Sequence, residues 1–150
     1  MSDLNKELLI REVEIHDYRK GHLLLYNQSF SINPYEIDYH EYVSFIESQK
    51  NNNNYIFVIE ENNTIIGSVT CFIETKLIHN FGKVGHIEDV IVDKNIRNRG
   101  LGKKLINHCI QFSQENKCYK VILDCDDNNV IFYNKCGFER KGNMRSRYFK

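Results

Sequence analysis

The stretch Arg97-Asn98-Arg99-Gly100-Leu101-Gly102-Lys103 constrains this fold most, because an apolar strand runs into it and an amphipathic helix runs out of it. Val90, Ile91 and Val92 form a short apolar run bounded by Asp93, which predicts a strand over residues 87–92 buried on both faces. From Gly100 onward, Leu101, Leu105, Ile106, Cys109 and Ile110 share one helical face, and Lys103, Lys104, Asn107 and Gln111 take the other. The two glycines remove Cβ atoms that would hold a ligand off the backbone, and the first-turn N–H groups have no partner within the helix. With the helix dipole and several nearby cations, the turn suits a phosphate or pyrophosphate. The spacing matches neither the Walker pattern nor the three-glycine dinucleotide fingerprint, so nucleotide hydrolysis and dinucleotide redox chemistry lose ground. The plainer alternative is a glycine-bearing turn with solvated cations.

The flanking sequence supplies the rest of an α/β unit. Residues 8–13 read as an opening strand, and His16-Asp17 offers an N-cap for a helix through Leu23, Leu24 and Leu25. Ser31-Ile32-Asn33-Pro34 marks a loop. Asp38 and Glu41 then form a capping box before a second helix through Tyr42, Val43, Phe45 and Ile46. Residues 51–54, all asparagine, read as an exposed linker. Two β-rich runs, 55–59 and 65–73, are separated by the hairpin signal of residues 60–64. Residues 75–85 connect to the strand at 87. A further strand at 120–124 precedes a short helix at 130–134, which Gly137 ends. The chain finishes in an alternating tail carrying Arg145 and Arg147. The expected architecture is an α/β fold with a mixed sheet, open enough to admit a ligand between its strands.

At 150 residues the chain is expected to form one domain, 1–150. Lysine plus arginine and aspartate plus glutamate number 20 each, so no global field favours nucleic acid or an anionic membrane. Residues 1–7 are polar, with no apolar signal region, and no run approaches a membrane span, which predicts a cytoplasmic protein. The five cysteines, Cys71, Cys109, Cys118, Cys125 and Cys136, lack metal-ligand spacing. They read as small buried hydrophobes, with no disulfide and no metal expected.

Arg-x-x-Gly-x-Gly after a strand resembles the acetyl-CoA pyrophosphate loop of the GNAT acyltransferase superfamily. Three ordered segments narrow that resemblance: Gly85-His86-Ile87-Glu88-Asp89-Val90; residues 118–126, which include Lys120-Val121-Ile122-Leu123-Asp124; and Asn129-Val130-Ile131-Phe132-Tyr133-Asn134-Lys135-Cys136-Gly137-Phe138. Together they look like the glucosamine-6-phosphate N-acetyltransferase branch, closely from residue 76 to 138 and weakly before.

The resemblance implies the GNAT fold, a mixed, mostly antiparallel sheet flanked by helices, whose central strands splay with acetyl-CoA between them as co-substrate. Val90, Ile91 and Val92 would line its pantetheine arm, Asn98, Arg99, Gly100, Leu101, Gly102 and Lys103 its pyrophosphate, and Asn129 would meet the arm nearby. Arg97 reads as a solvated loop residue, because some members of the branch carry glutamine there. Tyr133 matches the tyrosine that protonates the departing thiolate; without the motif it would read as a core aromatic. Glu88, Asp89 and Asp124 match carboxylates that hold the sugar amine and hydroxyls, although adjacent strand residues face opposite sides unless a bulge realigns them. Lys76, His79, Lys120 and Arg147 match or neighbour cations that serve the substrate phosphate. Ser29 falls near a substrate-contacting threonine, but its surroundings depart from the pattern.

The activity implied is acetyl transfer to the amine of D-glucosamine 6-phosphate on the way to UDP-N-acetylglucosamine, by direct attack in a ternary complex. Members of the branch are homodimers whose C-terminal strand crosses to the partner and shares its site. Two alternatives stay open: a GNAT enzyme for a protein or polyamine amine, and a non-catalytic acyl-CoA-binding module.

Overall fold

The computed structural model describes residues 8–150; the polar segment 1–7 lies outside them. Five strands form one sheet in sequence order: β1 (Ile10–Glu12), β2 (Asn54–Glu61), β3 (Thr64–Thr75), β4 (Lys83–Val92) and β5 (Cys118–Ile122). The first four pair antiparallel, and β5 joins β4 in parallel. That parallel step requires a crossover, which the long helix α4 (Leu101–Glu115) provides.

Two apolar layers sandwich the sheet. On one face Leu101, Leu105, Ile106 and Cys109 of α4 pack on Ile59, Val69, Cys71 and Ile87. This is the apolar helical face read from the sequence. On the other, Leu25 of α1 (His22–Asn27) and Tyr42 and Ile46 of α2 (Tyr39–Asn51) pack on Ile56, Val58, Ile65 and Ile91. Each fully buried aliphatic side chain contributes about 1.5–3 kcal/mol. Among the described residues no helix is long and apolar enough to cross a membrane.

Local signals were mostly correct and their edges were not. Asp38 caps α2, accepting from the Glu41 N–H at 2.9 Å while Glu41 accepts from the Asp38 N–H at 2.9 Å. The asparagine run is no linker: Asn51 ends α2, Asn54 opens β2, and Asn53 makes the turn at φ 56°. The β2–β3 hairpin is tighter than expected, closed by Asn62 and Asn63 in left-handed backbone at φ 50° and 60°. The connector expected over 75–85 shrinks, because β3 and β4 pair out to Thr75↔Lys83. Between them sits the one-turn α3 (Ile78–Phe81), in which His79, Asn80 and Phe81 all have φ near +55–60°: 56°, 54° and 62°. No strand follows Ile122 among the described residues, so the alternating tail is not a strand within this chain. Residues 139–150 are all exposed and find no sheet edge of their own to join.

The first helix corrects the expectation most. Asp17 is no N-cap exposed to water; it lies inside a 3₁₀ turn, Ile15–Lys20, with no exposed side-chain surface. Arg11 grips it through two 2.8 Å hydrogen bonds, and the Glu14 N–H donates to it at 2.8 Å. Arg11 and Lys20 both continue to Glu60. Burial alone would raise the Asp17 carboxyl, but these donors and the charges of Arg11 and Lys20 outweigh it and hold the carboxyl below its usual range. A lowered folded value means stability that is full above the unfolded aspartate range and is lost as acid titrates the folded carboxylate. Asp17→Asn should therefore cost about 2 kcal/mol at neutral pH. The deficit should shrink as unfolding is measured toward pH 3; a deficit constant with pH would assign it to packing.

Candidate active site

The site is made by a failure of pairing. β4 and β5 are bonded only from Lys83↔Cys118 to His86↔Ile122, so from Ile87 to Val92 the β4 edge has no β5 partner. The chain beyond Ile122 leaves through Leu123 and Asp124 to α5 (Val130–Lys135). An open β4 edge exposes backbone donors and acceptors that an extended ligand can satisfy as an added strand.

At the head of this slot stands α4. Gly100, at φ 72°, is its N-cap, and Asn98 before it is also left-handed at φ 69°. Asn98, Arg99, Gly100 and Lys103 are exposed, whereas Leu101 is buried beneath them. The first-turn amides therefore open toward the solvent side of a fifteen-residue helix. Arg99 is not wholly free: it forms a two-pronged pair with Glu61 at 2.7 and 3.0 Å. Gly102 was expected to spare room for a ligand. A Cβ there would instead lie 3.3 Å from the Phe132 ring of α5 and 4.0 Å from Val92, so its missing side chain lets α5 close against the slot.

Within β4 the carboxylates sit on a bulge. Ser68 pairs with Ile91 and Thr70 with Glu88, two steps along β3 against three along β4. Asp89 absorbs the extra residue at φ 51°. This resolves the facing problem posed by adjacent residues, since Glu88 and Asp89 both line one cavity of about 310 Å³ under α1 and α2. His22, Tyr26, Tyr42 and Thr70 share its wall, and no lysine or arginine does. A larger open depression of about 620 Å³, by Glu14, His16 and Lys50, carries none of the motif residues.

Electrostatics ties the two sides of the slot together. Burial, then the charges of Asp124 and Asp89, raise the Glu88 carboxyl, with His86 opposing; burial raises Asp89. Tyr133 is half-buried, its ring 5.0 Å from Phe132 and 6.2 Å from Phe138. Burial, followed by Cys125, Cys136 and Asp124, pushes its phenol up, so it stays protonated at neutral pH. Asp124 thus acts on both Glu88 and Tyr133, although it follows β5 rather than β4.

The expected cations are placed differently. Lys76 is paired to Glu74 at 2.9 Å, and Glu74 also takes His86 at 2.8 Å. His79 stacks on Tyr119 at 4.3 Å and Lys120 lies 5.7 Å over the same ring, near the start of β4 and β5. Arg147 is exposed on the tail, 5.9 Å from the Phe149 ring. Among the described residues, no recorded contact joins His79, Lys120 or Arg147 to the carboxylates. Asn129 is exposed at the N-cap of α5. Val90 and Val92 are half-buried, and Ile91 faces the opposite layer. Of the cysteines, Cys71 and Cys109 are buried as expected, but Cys125 is exposed.

Sequence reasoning missed the cavity wall on α1, α2 and β3. A readable signal was Thr70, a polar residue inside the apolar run 65–73.

The family described as acetyltransferase (GNAT) matches residues 17–138. A glucosamine 6-phosphate N-acetyltransferase of Arabidopsis thaliana is 40% identical over 147 residues, covering 93% of this chain and 95% of that protein. A glucosamine 6-phosphate N-acetyltransferase of Dictyostelium discoideum is 35% identical over 142 residues, covering 92% and 88%. The crystal structure of the Arabidopsis enzyme superposes with a TM-score of 0.90 at 37% identity, over 97% of this chain and all of that one.

Proposed function

The chain belongs to the GNAT acetyltransferase family, and on that footing we propose that it transfers the acetyl group of acetyl-CoA to the amine of D-glucosamine 6-phosphate, giving N-acetyl-D-glucosamine 6-phosphate and CoA. One observation carries the choice of acceptor: the bulge at Asp89 turns two adjacent carboxylates into one cavity at the slot, opposite Tyr133 and Asp124.

Acetyl-CoA supplies the activated thioester. Val90, Ile91 and Val92 offer the β4 edge to its pantetheine, a main-chain N–H near Val90 polarises the thioester carbonyl, and Asn129 borders the arm. Residues 98–103 and the α4 amides take the pyrophosphate; the Glu61 partner of Arg99 leaves Lys103 and the backbone as its main donors.

Glu88, Asp89 and Asp124 hold the amine and sugar hydroxyls. The raised Glu88 and Asp89 carboxyls are stronger bases than free ones, which favours loss of the amine proton before attack. Tyr133, kept protonated, donates to the departing thiolate. Direct attack fits better than an acyl-cysteine: burial and the charges of Asp124, Asp126 and Asp127 raise the Cys125 thiol, the reverse of an activated nucleophile.

The phosphate needs cations that the cavity wall lacks, so it points outward. A homodimer supplies them. Leu77 (83% exposed) and Phe81 (69%) leave an apolar surface beside the β5 edge, and the tail carries Tyr148 (91%) and Phe149 (87%) with nothing to cover them. A partner's tail seated there would bring Arg147 to the phosphate, with Lys76, His79 and Lys120 around it. The place of action is the cytoplasm, and the product feeds UDP-N-acetylglucosamine synthesis.

Purified protein with acetyl-CoA and glucosamine 6-phosphate should release free thiol, whereas spermidine or a lysine peptide should not. Thiol release with those amines but none with the sugar phosphate would overturn this reading.

A further inference from the structure

A polar chain lies buried behind the carboxylates, outside the three segments that suggested the activity. His22 on α1 is 3% exposed, and both its ring nitrogens are engaged: Nδ1 with the Tyr42 hydroxyl at 2.7 Å, Nε2 with Ser68 Oγ at 3.0 Å. Ser68 Oγ also meets the Tyr26 hydroxyl at 3.2 Å. Ser68 borders the β4 bulge, and the Asp89 charge is felt at the Tyr26 phenol.

The direction of this chain follows from bookkeeping of donors. Tyr42 is 2% exposed, and among the described residues its hydroxyl has one hydrogen-bond partner, Nδ1. A buried O–H that failed to donate would cost about 1–3 kcal/mol, so Tyr42 donates and Nδ1 accepts. Nε2 then carries the proton and donates to Ser68 Oγ. Ser68 is itself fully buried, so its own hydrogen needs an acceptor; with Nε2 protonated, its hydrogen-bond partner left to accept is the Tyr26 oxygen, and Ser68 donates there. The Tyr26 hydrogen is turned away from Ser68, toward the cavity that Tyr26 lines with Asp89 and Thr70. Burial holds the imidazole down at about 4, so His22 stays neutral and the direction does not reverse near neutral pH.

We propose that Tyr26 is a specificity residue of the acceptor site: its O–H, aimed by Tyr42, His22 and Ser68, donates to the acceptor hydroxyl adjacent to the amine that Asp89 holds. A donor and a carboxylate side by side read a vicinal amino alcohol, where a carboxylate alone would accept any amine. His22 and Ser68 are positioning residues in this scheme. The proposal rests on the amino sugar reading above and adds the group that recognises it.

The test compares kcat/KM for glucosamine 6-phosphate with that for its 1-deoxy and 3-deoxy analogues. The wild-type protein should use at least one analogue about tenfold less well, the value of one uncharged hydrogen bond lost. In Tyr26→Phe, kcat/KM for the parent should fall about tenfold, through KM, and the analogue penalty should shrink to within about twofold. The KM for acetyl-CoA should not move. The ring should still pack against His22 at 5.1 Å and Phe30 at 5.4 Å, so the variant should stay folded. His22→Phe should copy the loss, while His22→Gln, able to accept from Tyr42 and donate to Ser68, should retain the discrimination. An analogue penalty unchanged in Tyr26→Phe overturns the proposal whatever the His22 variants do. Thiol release by the wild type with glucosamine 6-phosphate stands or falls separately.

Discussion

Tyr133→Phe should lower the turnover of acetyl transfer by about 10²- to 10⁴-fold, the usual cost of a missing general acid. Its contacts with Phe132 and Phe138 are made by the ring, which the variant keeps, so both acetyl-CoA affinity and the unfolding temperature should stay near wild type. The size of the effect follows from where the phenol sits. Cys125 and Cys136 are the thiols beside it; burial raises both, and the charges of Asp124, Asp126 and Asp127 add to the rise at Cys125, so both are poorly matched to replace the lost donor. Expulsion of a thiolate without an acid is eased when water can solvate and protonate it, and the packing of Phe132 of α5 on Gly102 narrows that access. Turnover, measured by thiol release at saturating substrates, separates the two roles of Tyr133. Wild-type turnover would return the residue to the core.

The strand, turn and helix that head the slot were legible because their parts are local. An apolar run, two glycines and a face of Leu101, Leu105, Ile106 and Cys109 specify strand, turn and helix without reference to the rest of the chain. The capping box at Asp38 and Glu41 was legible for the same reason. What was hidden depends on partners distant in sequence. Asp17 looked like a cap because capping residues and buried ion-pair residues are the same types, and only the return of Arg11 and Glu60 to its side distinguishes them. Glu88 and Asp89 could be named, but not the bulge that aligns them, because it is set by register against Ser68 and Thr70. His22 sat among leucines as an unremarked polar residue, and its two hydroxyl partners come from α2 and β3. The tail shows the same limit in reverse: its alternation is that of a strand, and no strand among the described residues pairs with it.

Arg147 is where that limit meets the chemistry. If the partner's tail supplies it, Arg147→Ala should raise the KM for glucosamine 6-phosphate by about 30- to 5,000-fold, the cost of leaving a charged group without its partner. Acetyl-CoA binding should hardly change, since the CoA loop lies at the other end of β4. The decisive measurement is a co-expressed heterodimer of Arg147→Ala with Tyr133→Phe. With exchange, the Arg147→Ala chain keeps its own Tyr133 and receives an intact Arg147, so one site is whole and the other carries both defects. At glucosamine 6-phosphate well below the KM of the Arg147→Ala variant, activity should then be about half that of wild type, far above either homodimeric variant. If each chain used its own Arg147, every site would carry one defect, and activity would sit near the mean of the two variants. The outcomes differ by more than tenfold, and the exposed tail with its uncovered Tyr148 and Phe149 favours the first.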